Sequence, residues 1–223
     1  MKIAVNTRFL LKNQLEGIGR YSFEILRRMV NEHPEDEFIF FFDRAYDEKY
    51  VFGNKVTPVV LFPPARHPIL WYIWFEWSVH RALKKYKPDV FLSLDGYCSL
   101  RTSIPTLLVI HDLAFEHFGQ FVPNLVKKYY QKYTPLYVGK AKEIIAVSEY
   151  TKQDIVNLYK TNPSKIHVAY NQCGDYFKPI SKTEKEKIKQ IQSQSKEYFF
   201  YACLLYTSPS PRDRTRSRMP SSA

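Results

Sequence analysis

Cysteine is scarce. Three in 223 residues, Cys98, Cys173 and Cys203, are too few and too scattered for a disulfide framework or a CxxC metal site, and a reducing compartment suits them. Long apolar runs are missing too. None approaches the ~20 residues that span a bilayer, and Asn6, Thr7 and Arg8 interrupt the first apolar stretch before it can serve as a signal-peptide core. A cytoplasmic protein, soluble or at most peripheral at the inner membrane face, is therefore expected. Acidic residues are outnumbered, 22 against 33 Lys and Arg, which leaves a net charge of +11. Part of that surplus lies in Arg212, Arg214, Arg216 and Arg218 near the end. The rest implies a negatively charged membrane face or a phosphorylated ligand. No recognisable nucleic-acid-binding motif accompanies it, so no nucleic acid is expected as a partner.

Apolar residues make up 45% and aromatics 16% of the chain, enough to bury a full core. Strand-length apolar runs occur at 3–5, 38–42, 59–62, 90–94, 107–110, 144–147 and 166–170. Helical patterns separate most of them. The first carries Ile18, Tyr21, Ile25 and Met29 on one stripe; a second spans 69–86; a third spans 123–140, where Pro135 should kink or divide it. Strands alternating with helices predict an α/β fold, a doubly wound and mostly parallel Rossmann-like sheet. The stretch AKEIIAVSEYTKQDIVNLYKTNPSKIHVAYN, residues 141–171, gives the pattern in one piece: a short continuous strand, Ser148 as helix N-cap, a helix from Glu149, and a second strand alternating Ile166, Val168 and Tyr170.

Ligands of open parallel sheets bind beyond the carboxyl ends of the strands. Here those ends are polar: Asn6 and Thr7, Asp43, Asp95 and Gly96, His111 and Asp112, Ser148, and Asn171. Gly17 and Gly19 stand at the start of the first helix, where glycine lets backbone approach a phosphate and free N–H groups attract it; a turn needing positive φ is the plainer reading. A dinucleotide fingerprint using Gly17, Gly19 and Asp43 fits less well. Ser22 replaces its third glycine, and about ten residues, rather than none, separate strand from glycine. His111 and His117 form no convincing metal-ligand set, and no metal or cofactor is expected. Trp71, Trp74 and Trp77 lie above a basic end at Arg81, Lys84, Lys85 and Lys87, with Glu76, His80 and Lys84 as a polar stripe. That helix is either a core helix or a membrane-surface one.

Residues 141–171, with EGIGRYSFEILRRM from Glu16 and LLVIHDLAF over 107–115, resemble the N-terminal domain of glycosyltransferase family 4, retaining enzymes of the two-domain GT-B architecture. The resemblance covers residues 1–202. It implies transfer of a sugar from a nucleotide diphosphate sugar to a glycan or lipid-linked acceptor in envelope polysaccharide synthesis. It gives His111 the place of the residue facing the transferred sugar and puts Gly17 and Gly19 near the donor diphosphate or acceptor. Arg8, Asp112, Ser148 and Asn171 would line the cleft. On this basis residues 1–180 are an acceptor-side domain, 181–202 a linker and the first strand of a second domain otherwise missing, and 203–223 a disordered tail resembling a translated sequencing adapter. Such a fragment is expected to be inactive alone. A nucleotide-dependent oxidoreductase or epimerase, and a non-catalytic membrane-surface module, are the alternative classes.

Overall fold

A computed structural model describes residues 1–12, 15, 17–171 and 177–199. The expected tail at 203–223, most of the strand-like run at 198–202, and Glu16 lie outside the described residues. Seven parallel strands, β1 (Lys2–Asn6), β2 (Glu37–Phe42), β3 (Val56–Val60), β4 (Val90–Ser93), β5 (Thr106–Ile110), β6 (Glu143–Ala146) and β7 (Ile166–Val168), form one sheet in the order β3-β2-β1-β4-β5-β6-β7. Chain order runs outward from β1 to β3, then restarts on the other side of β1 with β4. The switch point therefore lies between β1 and β4, where a crevice opens in such sheets.

Burial on both faces explains the continuous apolar strands. Along β2, Phe38, Phe40 and Phe42 enter one core while Ile39 and Phe41 enter the other, because successive strand side chains point to opposite faces. The first face is covered by α1 (Gly17–Glu32) through Leu26 and Val30. Most remaining helices cover the second: α2 (Pro68–Ile73), α3 (His80–Tyr86), α5 (Asn124–Lys140) and α6 (Glu149–Tyr159), while the short α4 (Ala114–His117) lies between β5 and α5. These elements belong to one unit, Met1–Gln172. In the second unit α7 (Lys182–Ser193) starts at a capping box. Ser181 Oγ accepts from Glu184 N at 3.2 Å, and Glu184 Oε2 accepts from Ser181 N at 3.0 Å.

Several expectations change in detail. The third strand begins at Val56, not 59, and takes in Pro58; a strand at the edge of the described sheet has a free side on which the missing N–H costs no ladder bond. The last strand stops at Val168, leaving Tyr170 exposed. Pro135 does not divide α5, which runs on to Lys140 with Thr134, Tyr137 and Val138 buried around the proline. In α1 the buried stripe is Gly19, Ser22, Leu26 and Val30, one position beyond the expected one. Hydrophobicity misplaced it because the innermost residues of the first turns are small. A Cβ on Gly19 would lie 2.5 Å from the Phe9 carbonyl oxygen, so the helix start can come this close to the segment after β1 only with glycine there.

Residues 68–86 form one helical run in which a π-helical turn, Trp74–Val79, joins α2 to α3. Trp74 is fully buried, its Nε1 donating to the Leu61 carbonyl at 3.1 Å, and Trp71 packs on the core with Nε1 donating to the Ala65 carbonyl at 2.9 Å. Of the two readings of this helix, the core one therefore holds for Trp71 and Trp74, which are not placed for the membrane contact. Trp77 alone of the three tryptophans is exposed, at 47%, beside Arg81 and Arg101. The polar stripe is likewise not a wetted face. Glu76 and His80 are buried, and Glu76 Oε1 accepts the Leu100 backbone N–H at 2.8 Å.

Burial pushes the Glu76 carboxyl above its ordinary value of 4.5, against the lowering effect of hydrogen bonds from Leu100 and Arg101. The folded state then holds a proton that the unfolded chain has released, so stability falls as pH climbs from 4.5 through the raised value. Melting temperatures across that range should show the wild type losing ground to Glu76→Gln as pH rises. Parallel pH profiles for the two proteins would contradict this.

Candidate functional site

Because all seven strands are parallel, the polar residues at their carboxyl ends meet on one edge of the sheet. At the switch point Asp95, just past β4, is almost fully buried and gathers the residues after β1. Its Oδ1 accepts from Asn6 Nδ2 at 2.7 Å, from Ser93 Oγ at 3.2 Å and from Tyr97 N at 3.3 Å; its Oδ2 accepts from Arg8 Nε at 2.5 Å. Arg8 is as deeply buried as its partner. Burial works against its charge, but Asp95 and Tyr97 outweigh that and hold its pKa above the usual arginine value. The guanidinium carbon lies 4.1 Å from the Tyr97 ring centroid and 4.9, 5.5 and 5.8 Å from those of Phe9, Phe75 and Trp71. Rings and charge position one another.

On the β5 side lies a pocket of about 130 Å³ bounded by Ile18, Asp95, Tyr97, His111, Asp112 and Tyr130. The orientation of His111 is set from two sides. Its Nε2 lies 2.8 Å from the Leu94 carbonyl oxygen, which can only accept, so Nε2 carries the proton; the Tyr21 ring, on α1, stands perpendicular to the imidazole with centroids 4.9 Å apart. Nδ1 has no hydrogen-bond partner among the described residues, which leaves it able to accept from a hydroxyl or, when protonated, to donate. Asp112 Oδ1 accepts from Ala114 N at 2.9 Å, fixing the loop that carries His111. Ser148 caps α6 as expected, accepting from Thr151 N at 3.1 Å, and Thr151 Oγ1 donates to the His111 carbonyl at 3.2 Å. The cap thus ties the start of α6 to the backbone of His111.

A second pocket, about 170 Å³, lies over the ends of β1, β2 and β3 and shares Tyr97 and Tyr130 with the first. Arg8, Arg44, Arg66 and Trp71 also line it. The expected residues fall into three groups. His111 and Asp112 share the first pocket; Gly17 precedes its wall residue Ile18; Arg8 lines the second. Gly19 and Ser148 support this edge from behind. Asn171 is exposed and lines neither pocket. Among the described residues one group of three ligand-type side chains comes within metal-binding reach, exposed His33 and Glu35 with largely buried Asp36, which precede β2 and so lie at the opposite edge. His117 instead pairs with Asp154 at 2.8 Å.

A model of Glycosyltransferase Family 4 matches residues 15–172. The chain belongs to that family. It is 24% identical over 196 residues to the O-antigen chain mannosyltransferase RfbU of Salmonella typhimurium, covering 83% of this chain and 50% of that protein. Its fold matches the Anabaena protein HepE, solved with UDP and glucose, at a TM-score of 0.54 and 14% identity over 86% of this chain and 50% of the other. A UDP-N-acetylglucosamine 2-epimerase matches at 0.51 and 11% over 75% and 47%. The chain spans about half the length of the curated relative it matches. Transferases and epimerases share this half of the architecture, so the fold does not separate them; the family match does.

Four further residues line these pockets and belong to no motif in the sequence: Tyr97, Tyr130, Arg44 and Arg66. Tyr130 sits in a run of tyrosines on α5 that reads as core spacing. Arg44 and Arg66 lie in loops with no pattern of their own; their signal was position, just past strands 2 and 3.

The two glycines separate packing from approach. A Cβ on Gly17 meets nothing within 4 Å, whereas one on Gly19 strikes main chain. In urea denaturation Gly19→Ala should cost about 1–3 kcal/mol, as overpacking does, and Gly17→Ala should stay within about 0.5 kcal/mol. Equal effects would contradict the close approach.

Proposed function

We propose that the whole protein is a retaining hexosyltransferase and that this chain is its acceptor-side half. The glycosidic bond from sugar C1 to the nucleoside diphosphate breaks. A bond from C1 to an acceptor hydroxyl forms on the same face, and the hydroxyl proton leaves with the diphosphate. The acceptor is a glycan or lipid-linked precursor of an envelope polysaccharide. His111 faces the transferred sugar and hydrogen-bonds it through Nδ1. The helix start at Gly17 faces the diphosphate, with no metal required. The observation that carries this reading is His111 held by Leu94 and Tyr21 at the rim of a pocket over the switch point. Transfer needs donor and acceptor held together, so the chain by itself is inactive.

The test joins this chain to the half of the Salmonella mannosyltransferase that it does not match. With a nucleotide-activated mannose and a membrane extract as acceptor source, the fusion should release nucleoside diphosphate and the unfused chain should not. His111→Ala in the fusion should lower the rate by ~10²-fold or more, the scale of losing one stabilising contact. Wild-type turnover by that variant removes His111 from the reaction. Tight binding of NAD by the chain, with no turnover by the fusion, would favour an oxidoreductase instead.

The same reading places the protein in the cytoplasm, at the inner membrane face, through charge and one indole. Exposed Trp77 lies on the same run as exposed Arg81, Lys84 and Lys85. In flotation with anionic vesicles, the triple variant Trp77→Ala, Lys84→Ala, Lys85→Ala should bind several-fold less, as about 1 kcal/mol per surface lysine implies. Equal flotation of variant and wild type would remove this contact.

A further inference from the structure

The second pocket is built for negative charge. Three guanidinium groups line it, and two carboxylates answer them: Asp95 holds Arg8, and Asp43 holds Arg44 through Nε–Oδ1 at 2.8 Å and Nη2–Oδ2 at 2.6 Å. Arg66 makes no side-chain ion pair or hydrogen bond with the described residues and is exposed at the rim. The pocket's arginine and aspartate charges therefore sum to a positive excess. Arginine offers donors and no acceptor, so the free hydrogen-bonding capacity of Arg44 and Arg66 suits a ligand rich in lone pairs.

The loop that carries Arg66 is held in place beforehand. Buried Asp43 Oδ2 accepts from Ala65 N at 2.8 Å while it grips Arg44, and the Ala65 carbonyl accepts from Trp71 Nε1 at 2.9 Å. One carboxylate thus orients Arg44 and anchors the residue before Arg66. Trp71 stacks nearly parallel on Tyr130, 5.9 Å between centroids at 8°, which supplies an aromatic wall beside the cations. A neutral hydroxylated ring has no need of two charged forks; phosphate and carboxylate both match their planar donor pairs.

We propose that the acceptor recognised by this chain is anionic, a sugar carrying phosphate or carboxylate, and that Arg44 and Arg66 bind that group in the pocket beside His111. The word acceptor rests on the sugar-transfer reading above; the anion site itself does not. Shared walls at Tyr97 and Tyr130 put the charged group next to the pocket where transfer would occur.

The test titrates the full 223-residue chain with glucose 1-phosphate, glucuronate, UDP and neutral methyl glucoside, followed by calorimetry. Glucose 1-phosphate or glucuronate should bind saturably and methyl glucoside should not; whichever of the first two binds tighter identifies the anion. Arg66→Ser and Arg44→Gln should each weaken that binding about tenfold, the scale of one charged hydrogen bond. Lys142→Ser, which removes a cation just before β6 at the opposite edge, should change nothing. Arg66 is exposed and unpaired, so Arg66→Ser keeps the fold, and its unchanged melting temperature verifies this. Wild-type affinity in both arginine variants overturns the proposal. So does UDP displacing the sugar phosphate from an Arg66-dependent site, which would assign the pocket to the donor. Binding of methyl glucoside alone sinks the anionic acceptor and leaves sugar transfer standing, whereas an inactive fusion sinks sugar transfer and leaves anion binding intact.

Discussion

The ion pair between Arg8 and Asp95 is the constraint on which the carboxyl edge depends. Removing two charges from water costs several kcal/mol for each ion, and attraction in the interior returns that only when the remaining hydrogen-bonding groups are also satisfied. Here they are. Asp95 collects Asn6, Ser93, the Tyr97 backbone and Arg8, while Arg8 lies among four aromatic rings. Such a pair contributes little net stability. What it fixes is shape: the segment after β1 is fastened to the segment after β4 across the switch point, and Tyr97 is set as the wall between two pockets.

The chemistry of each pocket follows from which strand ends it straddles. His111 follows β5, yet its ring is oriented by a carbonyl just past β4, by a perpendicular aromatic ring from α1 and, through its own carbonyl, by the start of α6. Three elements on both faces of the sheet therefore agree on one histidine orientation. That is the preorganisation needed if a hydrogen bond to a reacting sugar is to be worth more than the same bond in water. On the β2 and β3 side the order comes from Asp43 instead, and the result is an electrostatic pocket rather than a hydrogen-bonding one. A cleft with these two halves suits a ligand that is polar at one end and charged at the other.

Much of the fold was legible in the sequence, because parallel strands buried on both faces read as short continuous apolar runs and each run stops at a polar residue. Ser148 announced its helix by chemistry alone, and the β-α-β unit at 141–171 names its own topology. What stayed hidden was of two kinds. Close packing at Gly19 and Ser22 has no hydrophobic signature, so hydrophobicity puts the stripe of α1 one position off, and sequence leaves the tryptophan helix open between core and membrane surface until carbonyls inside the protein are seen to take the Trp71 and Trp74 N–H groups. The long-range contacts, Arg8 with Asp95 across the β1–β4 crossover and Asp43 with the Ala65 backbone beyond β3, join residues from different strand ends, and no spacing rule reveals them. Position at a strand's carboxyl end is the one visible clue; His111, Asp112 and Arg8 at such ends line the two pockets, and Asn171 lines neither.

The buried pair shapes the ligand-binding edge rather than holding the fold together. Replacing both partners at once, Arg8→Met with Asp95→Leu, separates the two roles, because it removes the charges together and leaves neither one stranded. The decisive measurement is unfolding free energy and sugar-phosphate affinity on the same double variant. Stability within about 1 kcal/mol of wild type or above it, with binding lost, is the predicted result; a double variant that binds as wild type does, or one that fails to fold, would contradict it.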